Sequence, residues 1–141
     1  MITKKVFLSF APEDYQKVEK LMPLLRSPDY ELDFYAGSLD LDFDAEGAEA
    51  LKRAIGEKIA KCNIAVCLIG ENTHKSRWVD SQLRKNRNKG NKIIAMALKG
   101  VECVVLPDVV KQEFLTFYPW DPQKLKTLIT DDTRKPFNNS L

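Results

Sequence analysis

Apolar residues recur along the chain in two rhythms, and the alternation of those rhythms predicts an architecture. Continuous apolar runs of strand length occur in KKVFLSF (4–10), NIAVCLIG (63–70) and NKIIAMAL (91–98), with a shorter one in YELDFYA (30–36). Apolar runs without polar alternation suit parallel strands covered on both faces. Between them the spacing changes to three and four. Tyr15, Val18, Leu21 or Met22, and Leu25 mark a helix over 11–25; Leu51, Ile55, Ile59 and Cys62 mark one over 48–62; Val79 and Leu83 mark one over 77–89. Pro12, with Glu13 and Asp14 in the first turn, favours the start of the first helix, the acids complementing its dipole. Pro23 is expected to kink or split it. Ser76 is placed to cap the third helix. GSLDLDFDAEG (37–47) reads as a long loop. After Gly100, VECVVLP and EFLTFYPW each offer a strand, DPQKLKTLI carries an Asp-Pro helix start, and residues 131–141 form a polar tail expected to be loose.

This order predicts one α/β domain spanning residues 1–141, a flavodoxin-like three-layer sandwich with a mostly parallel sheet and the first strand between the second and third. Ligands of such sheets sit outside the carboxyl ends of the strands. Three segments reach that edge: the turn after the first strand (Ser9, Phe10, Ala11), the loop 36–46, and the loop 70–76 with the start of the following helix. Trp78 and Gln82 lie four apart on one face of that helix and so belong to the ligand edge.

Composition narrows the classes of function. With 141 residues, 44% hydrophobic and 30% charged, the chain can bury a core as an ordinary globular domain. No apolar run approaches the roughly 18 residues of a membrane span. MITKKVFLSF enters a strand directly and lacks a secretory layout. A net charge of +2 does not point to nucleic acid. Cys62, Cys67 and Cys103 are odd in number, irregularly spaced and embedded in apolar runs, which predicts buried free thiols in a reducing cytoplasm. His74 is the sole histidine, so no metal site is expected. The basic residues Lys75, Arg77, Arg84, Lys85, Arg87, Lys89 and Lys92 read as a solvated face that complements a helix C-terminus.

Several chemistries find no support. The first turn, SFAPED, has no glycines for a dinucleotide fingerprint, and there is no phosphate-binding P-loop. No Ser/His/Asp set is apparent. Glu13 and Asp14 follow the first strand as acids do in phospho-receiver domains, but VLP at 105–107 supplies no lysine at the end of a late strand.

The order KKVFLSFAPED, LKRAIGEKIAKCNIAVCLIGENTHKSRWVDSQL, GNKIIAMAL resembles the TIR-like domains of bacteria, above all the stand-alone type of Thoeris anti-phage systems. The resemblance covers residues 4–100 and is most specific over 51–94. The family places a catalytic glutamate four residues after the tryptophan of its SRWV-like segment, for cleavage of NAD at the nicotinamide–ribose bond; here that position is Gln82. The resemblance further implies that Phe10 and Ala11 line a nucleotide pocket, that Trp78 forms one of its walls, and that Tyr35, Ser38 and Asp40 lie in and before an overhanging loop. Ser38 and Asp40 are also ordinary turn residues. NAD is implied as substrate, with no permanently bound cofactor. The implied product is an ADP-ribose-derived signal, cyclised or conjugated, that reaches a separate effector protein.

The substitution at 82 has chemical weight. Breaking a glycosidic bond builds positive charge on the sugar, which a neighbouring carboxylate stabilises. Glutamine keeps the size and the acceptor oxygen without the charge. The expected outcome is a site that holds ligand and fails in the reaction. Two origins fit so close a replacement: an introduced inactivating change, which the intact surroundings favour, or a natural pseudoenzyme. The alternative reading is a non-enzymatic TIR-like module that works by self-association into a homo-oligomer.

Overall fold

The computed structural model describes residues 4–34 and 42–131. Its strands are β1 (Lys4–Ser9), β2 (Tyr30–Asp33), β3 (Ile64–Ile69), β4 (Lys92–Ala97) and β5 (Phe117–Tyr118). Its helices are α1 (Tyr15–Leu25), α2 (Ala48–Ala60), α3 (Arg77–Lys89), α4 (Asp108–Gln112) and α5 (Pro122–Thr130). One sheet of order β2-β1-β3-β4-β5 results, and each of its pairings is parallel. The first strand lies between the second and third, as the alternation predicts.

Parallel pairing buries both faces, and strand parity sorts the side chains between them. On one face Val6, Leu8, Val66, Leu68, Ile94 and Met96 meet Val18, Met22 and Leu25 of α1 and Leu125 and Ile129 of α5. On the other, Cys67, Ile69 and Ala95 meet Val79 and Leu83 of α3 and Val109 and Val110 of α4. Beside them Phe7 meets Ile55 and Ile59 of α2 and Trp78 of α3. β3 is buried at every position, which explains its unbroken apolar run.

Helix ends follow the chemistry of their sequences. Ser76 accepts a hydrogen bond from the Val79 N–H at 3.2 Å, and Asp121 accepts one from the Lys124 N–H at 3.0 Å. α3 stops at Gly90, whose φ of 85° only glycine adopts freely. Three lysines at the amino edge of the sheet reach the orphan carbonyls of helix C-termini. Lys4 and Lys92 donate to Ile129 and Leu128 of α5 at 3.1 and 2.7 Å. Lys89 donates to the Ala60 carbonyl at 2.8 Å and also to that of Cys62, closing the end of α2.

Four expectations are corrected. Pro23 does not split α1: it lies in the last turn, and the Arg26 N–H still bonds Met22 O at 3.0 Å. The first turn of the predicted helix is a separate 3-10 turn, Pro12–Asp14. VECVVLP forms no strand; Val104 and Leu106 instead pack irregularly against the α3–α4 side of the core and lead into α4. Cys103 in that segment is exposed, while Cys62 and Cys67 are buried.

The Lys89 contacts generate a prediction. Lys89→Met keeps the stem and removes the charged donor, so the carbonyls closing α2 lose a charge-assisted partner. The expected loss is about 1–2 kcal/mol. A lowered midpoint of urea unfolding with an unchanged slope would show it; an unchanged midpoint would exclude this capping role.

Candidate functional site

The exits of β1 and β3 lie side by side because Ser9 and Cys67 are register partners. The chain leaves β1 through Phe10 and Ala11 into the 3-10 turn, and leaves β3 through Gly70 into the turn Thr73–Lys75 before α3. Asn72 Nδ2 ties the two exits together by donating to Glu13 Oε2 at 3.1 Å, and within the β3 exit the Gly70 N–H donates to Thr73 Oγ1 at 2.7 Å. An open groove of about 650 Å³ lies between them, with Ala11, Glu13, Phe43, Lys75, Arg77 and Trp78 among its lining residues.

One wall of the groove is aromatic and cationic. Phe43 meets Trp78 edge to face with ring centroids 5.0 Å apart. Lys52 Nζ stands 3.9 Å and the Arg77 guanidinium 4.8 Å from the centre of the Phe43 ring, within cation–π range. Arg77 also pairs with Asp44, so the segment after residue 41 is fastened to α2 and α3 at two adjacent residues.

Beneath this wall runs a buried polar line. Gln82, one helical turn after Trp78, is 4% exposed, and Ser9 is fully buried. Ser9 Oγ donates to Gln82 Oε1 at 2.6 Å across 73 residues of sequence. Asn86 Nδ2 donates to the Gln82 carbonyl at 2.9 Å, and Asn91 Nδ2 donates to Asn86 Oδ1 at 2.8 Å. The deep end of α3 is thus held by amide and hydroxyl hydrogen bonds among apolar neighbours, where unpaired polar groups would be costly.

Asp14 departs from its expected role. It is 2% exposed rather than a solvated complement to a helix dipole. Its carboxyl lies over Gly70 so closely that a Cβ on that glycine would clash with Oδ2. Oδ2 finds no hydrogen-bond partner among the described residues. Burial pushes the carboxyl above the usual aspartate range, Lys17 opposes the shift, and Glu13 and Glu71 add to it.

The residues singled out by sequence are distributed as follows. Ala11 and Trp78 share the groove. Gln82 lies behind Trp78 against Ser9. The Phe10 ring belongs to the α1–α5 face, near Tyr15 and Phe34 at 6.3 and 5.8 Å, so the sheet separates it from Trp78. Tyr35, Ser38 and Asp40 lie outside the described residues. Phe43, the burial of Asp14 and the role of Ser9 are not apparent from the sequence pattern. Ser9 was accessible to parity reasoning, since it lies two residues from Phe7 and one from Phe10; the burial of Asp14 depends on a tertiary approach to Gly70 with no local signal. Among the described residues no group of three or more His, Cys, Asp or Glu side chains could hold a metal ion.

A family model described as "Thoeris protein ThsB, TIR-like domain" matches residues 7–102. No curated protein matches. Among solved structures, the chain is similar to the TIR domains in the structure of the activated Roq1 resistosome directly recognizing the pathogen effector XopQ. That match has 19% identity and a TM-score of 0.50, and it covers 92% of this chain and 72% of that one. At this identity the likeness establishes the shared fold.

Asp14 supplies a pH prediction. Its folded-state pKa is raised, so the folded protein binds this proton more tightly than the unfolded chain does. The stability it contributes is full below the ordinary aspartate range and is lost as pH rises through the raised value. Asp14→Asn removes that titration. Melting temperatures of the two proteins should therefore shift in the variant's favour between acid and neutral pH. A pH-independent difference would refute the assignment.

Proposed function

Because the chain belongs to the family of Thoeris ThsB TIR-like domains, we propose that it has the fold of an NAD-consuming enzyme of bacterial anti-phage defence and that Gln82 holds its reaction in check. The active form cleaves the nicotinamide–ribose bond and makes an ADP-ribose-derived signal, cyclised or conjugated, that acts on a separate effector. The reading is supported by one observation above all: the Gln82 side chain is buried one helical turn after Trp78, with its oxygen held by Ser9 at the end of β1.

The groove suits the chemistry of such a substrate. Phe43 and the largely buried Trp78 line it with aromatic rings, and Lys75 and Arg77 offer positive charge to a diphosphate beside the carboxylates of Glu13 and Asp42. A ribose held against Trp78 would lie about 6 Å along the helix axis from position 82, at 1.5 Å per residue. A carboxylate there would stabilise the cationic sugar as the glycosidic bond breaks. The glutamine oxygen can accept a ribose hydroxyl but supplies no net charge.

A second reading is favoured by a specific feature. Gln82 is 4% exposed and hydrogen-bonded, as a structural amide would be, which fits a native residue in a non-enzymatic self-association module.

Gln82→Glu separates the two. It should raise nicotinamide release from NAD by about 10²–10³-fold, the usual contribution of one preorganised electrostatic stabiliser. Ligand affinity, followed by calorimetry, should change much less. Negligible turnover by both forms, at high protein concentration and during infection, would favour the module. Rapid turnover by the Gln82 protein would remove the carboxylate from the mechanism.

A further inference from the structure

We propose that Ser9 is the positioning residue for the side chain at 82, an inference that rests on the carboxylate chemistry proposed above. The side chain at 82 ends on a flexible amide or carboxyl group, and its position on α3 alone does not fix where the oxygen points. Ser9 does. Its backbone is held in β1 by parallel pairing, in register with Cys67 of β3. It is fully buried, and its hydroxyl donates to Gln82 Oε1 at 2.6 Å. Strand parity turns Ser9 toward α2 and α3, with Phe7, while Val6, Leu8 and Phe10 turn the other way.

A hydroxyl has one proton to donate. Either a glutamine oxygen or a carboxylate oxygen accepts it, so the contact survives exchange of one residue for the other. With a carboxylate it becomes a charge-assisted bond, shorter and stronger than the neutral one. It would orient one oxygen toward the sheet and leave the second to face the sugar. The backbone of α3 at this point is itself braced by Asn86 Nδ2 on the Gln82 carbonyl. The side chain and the main chain of residue 82 are therefore held by separate donors.

The test uses the full chain in the Gln82→Glu background, with nicotinamide release from NAD as readout. Ser9→Ala should lower kcat by about 10–100-fold, the scale on which supporting hydrogen bonds behind metal ligands act, and leave KM within about threefold. Ser9→Thr, which keeps the hydroxyl, should recover most of kcat. Melting curves check that each variant is folded; if Ser9→Ala is not, Ser9→Cys gives the same comparison with a weaker donor. An unchanged kcat in folded Ser9→Ala, or equal losses in the Ala and Thr variants, overturns the role of Ser9 while leaving NAD cleavage intact. If Gln82→Glu itself releases no nicotinamide, the carboxylate chemistry fails and this role fails with it.

Discussion

The register of β1 against β3 is the constraint on which the site depends. Val6 faces Ile64 and Ser9 faces Cys67 in a parallel pair buried on both sides. Strand side chains alternate with period two, so a slip of one residue would exchange the faces. Ser9 would turn to the α1–α5 layer, Phe10 would be driven toward α3, and Gln82 would lose its partner. Val6 and Leu8 penalise that slip heavily, because both would leave the core they fill beside Val66 and Leu68. A hydrophobic pattern thus sets the position of a polar contact in which none of its members takes part.

The same register brings two strand exits together, and glycine permits their final approach. Gly70 has no side chain where the Asp14 carboxyl lies, so the turn after β1 can close over the end of β3. Asn72 and Glu13 join the two segments at their outer rim. The groove is therefore a product of main-chain geometry at the ends of two buried strands, to which α3 adds Trp78 and Arg77 as a wall.

Much of this was legible in sequence, for identifiable reasons. The unbroken apolar runs at 63–70 and 91–98 marked parallel strands, and Ser76 marked the start of α3. Trp78 and Gln82 were placed on one helical face by spacing alone. Features set by tertiary approach were not legible. Asp14 resembled a surface acid because nothing local marks the glycine it meets 56 residues later. Phe43 sits in a stretch rich in aspartate, and its place between Lys52, Arg77 and Trp78 depends on the separation of α2 from α3. VECVVLP carries strand propensity but packs as an irregular cover over the α3–α4 side of the core, where tertiary context overrides propensity.

The span of the Ser9–Gln82 contact also bears on the order of folding. β3, α3 and β4 follow one another closely, and Ile64 pairs with Lys92 across a short crossover. β1 must wait for a much longer loop to close before Val6 meets Ile64. Loop-closure entropy therefore favours early assembly of the β1–α1–β2 and β3–α3–β4 units and later docking of β1 against β3. Position 82 acquires its hydroxyl partner only when that docking is complete. A partly folded chain could carry an intact α3, with its tryptophan and its glutamine, and still have no organised site.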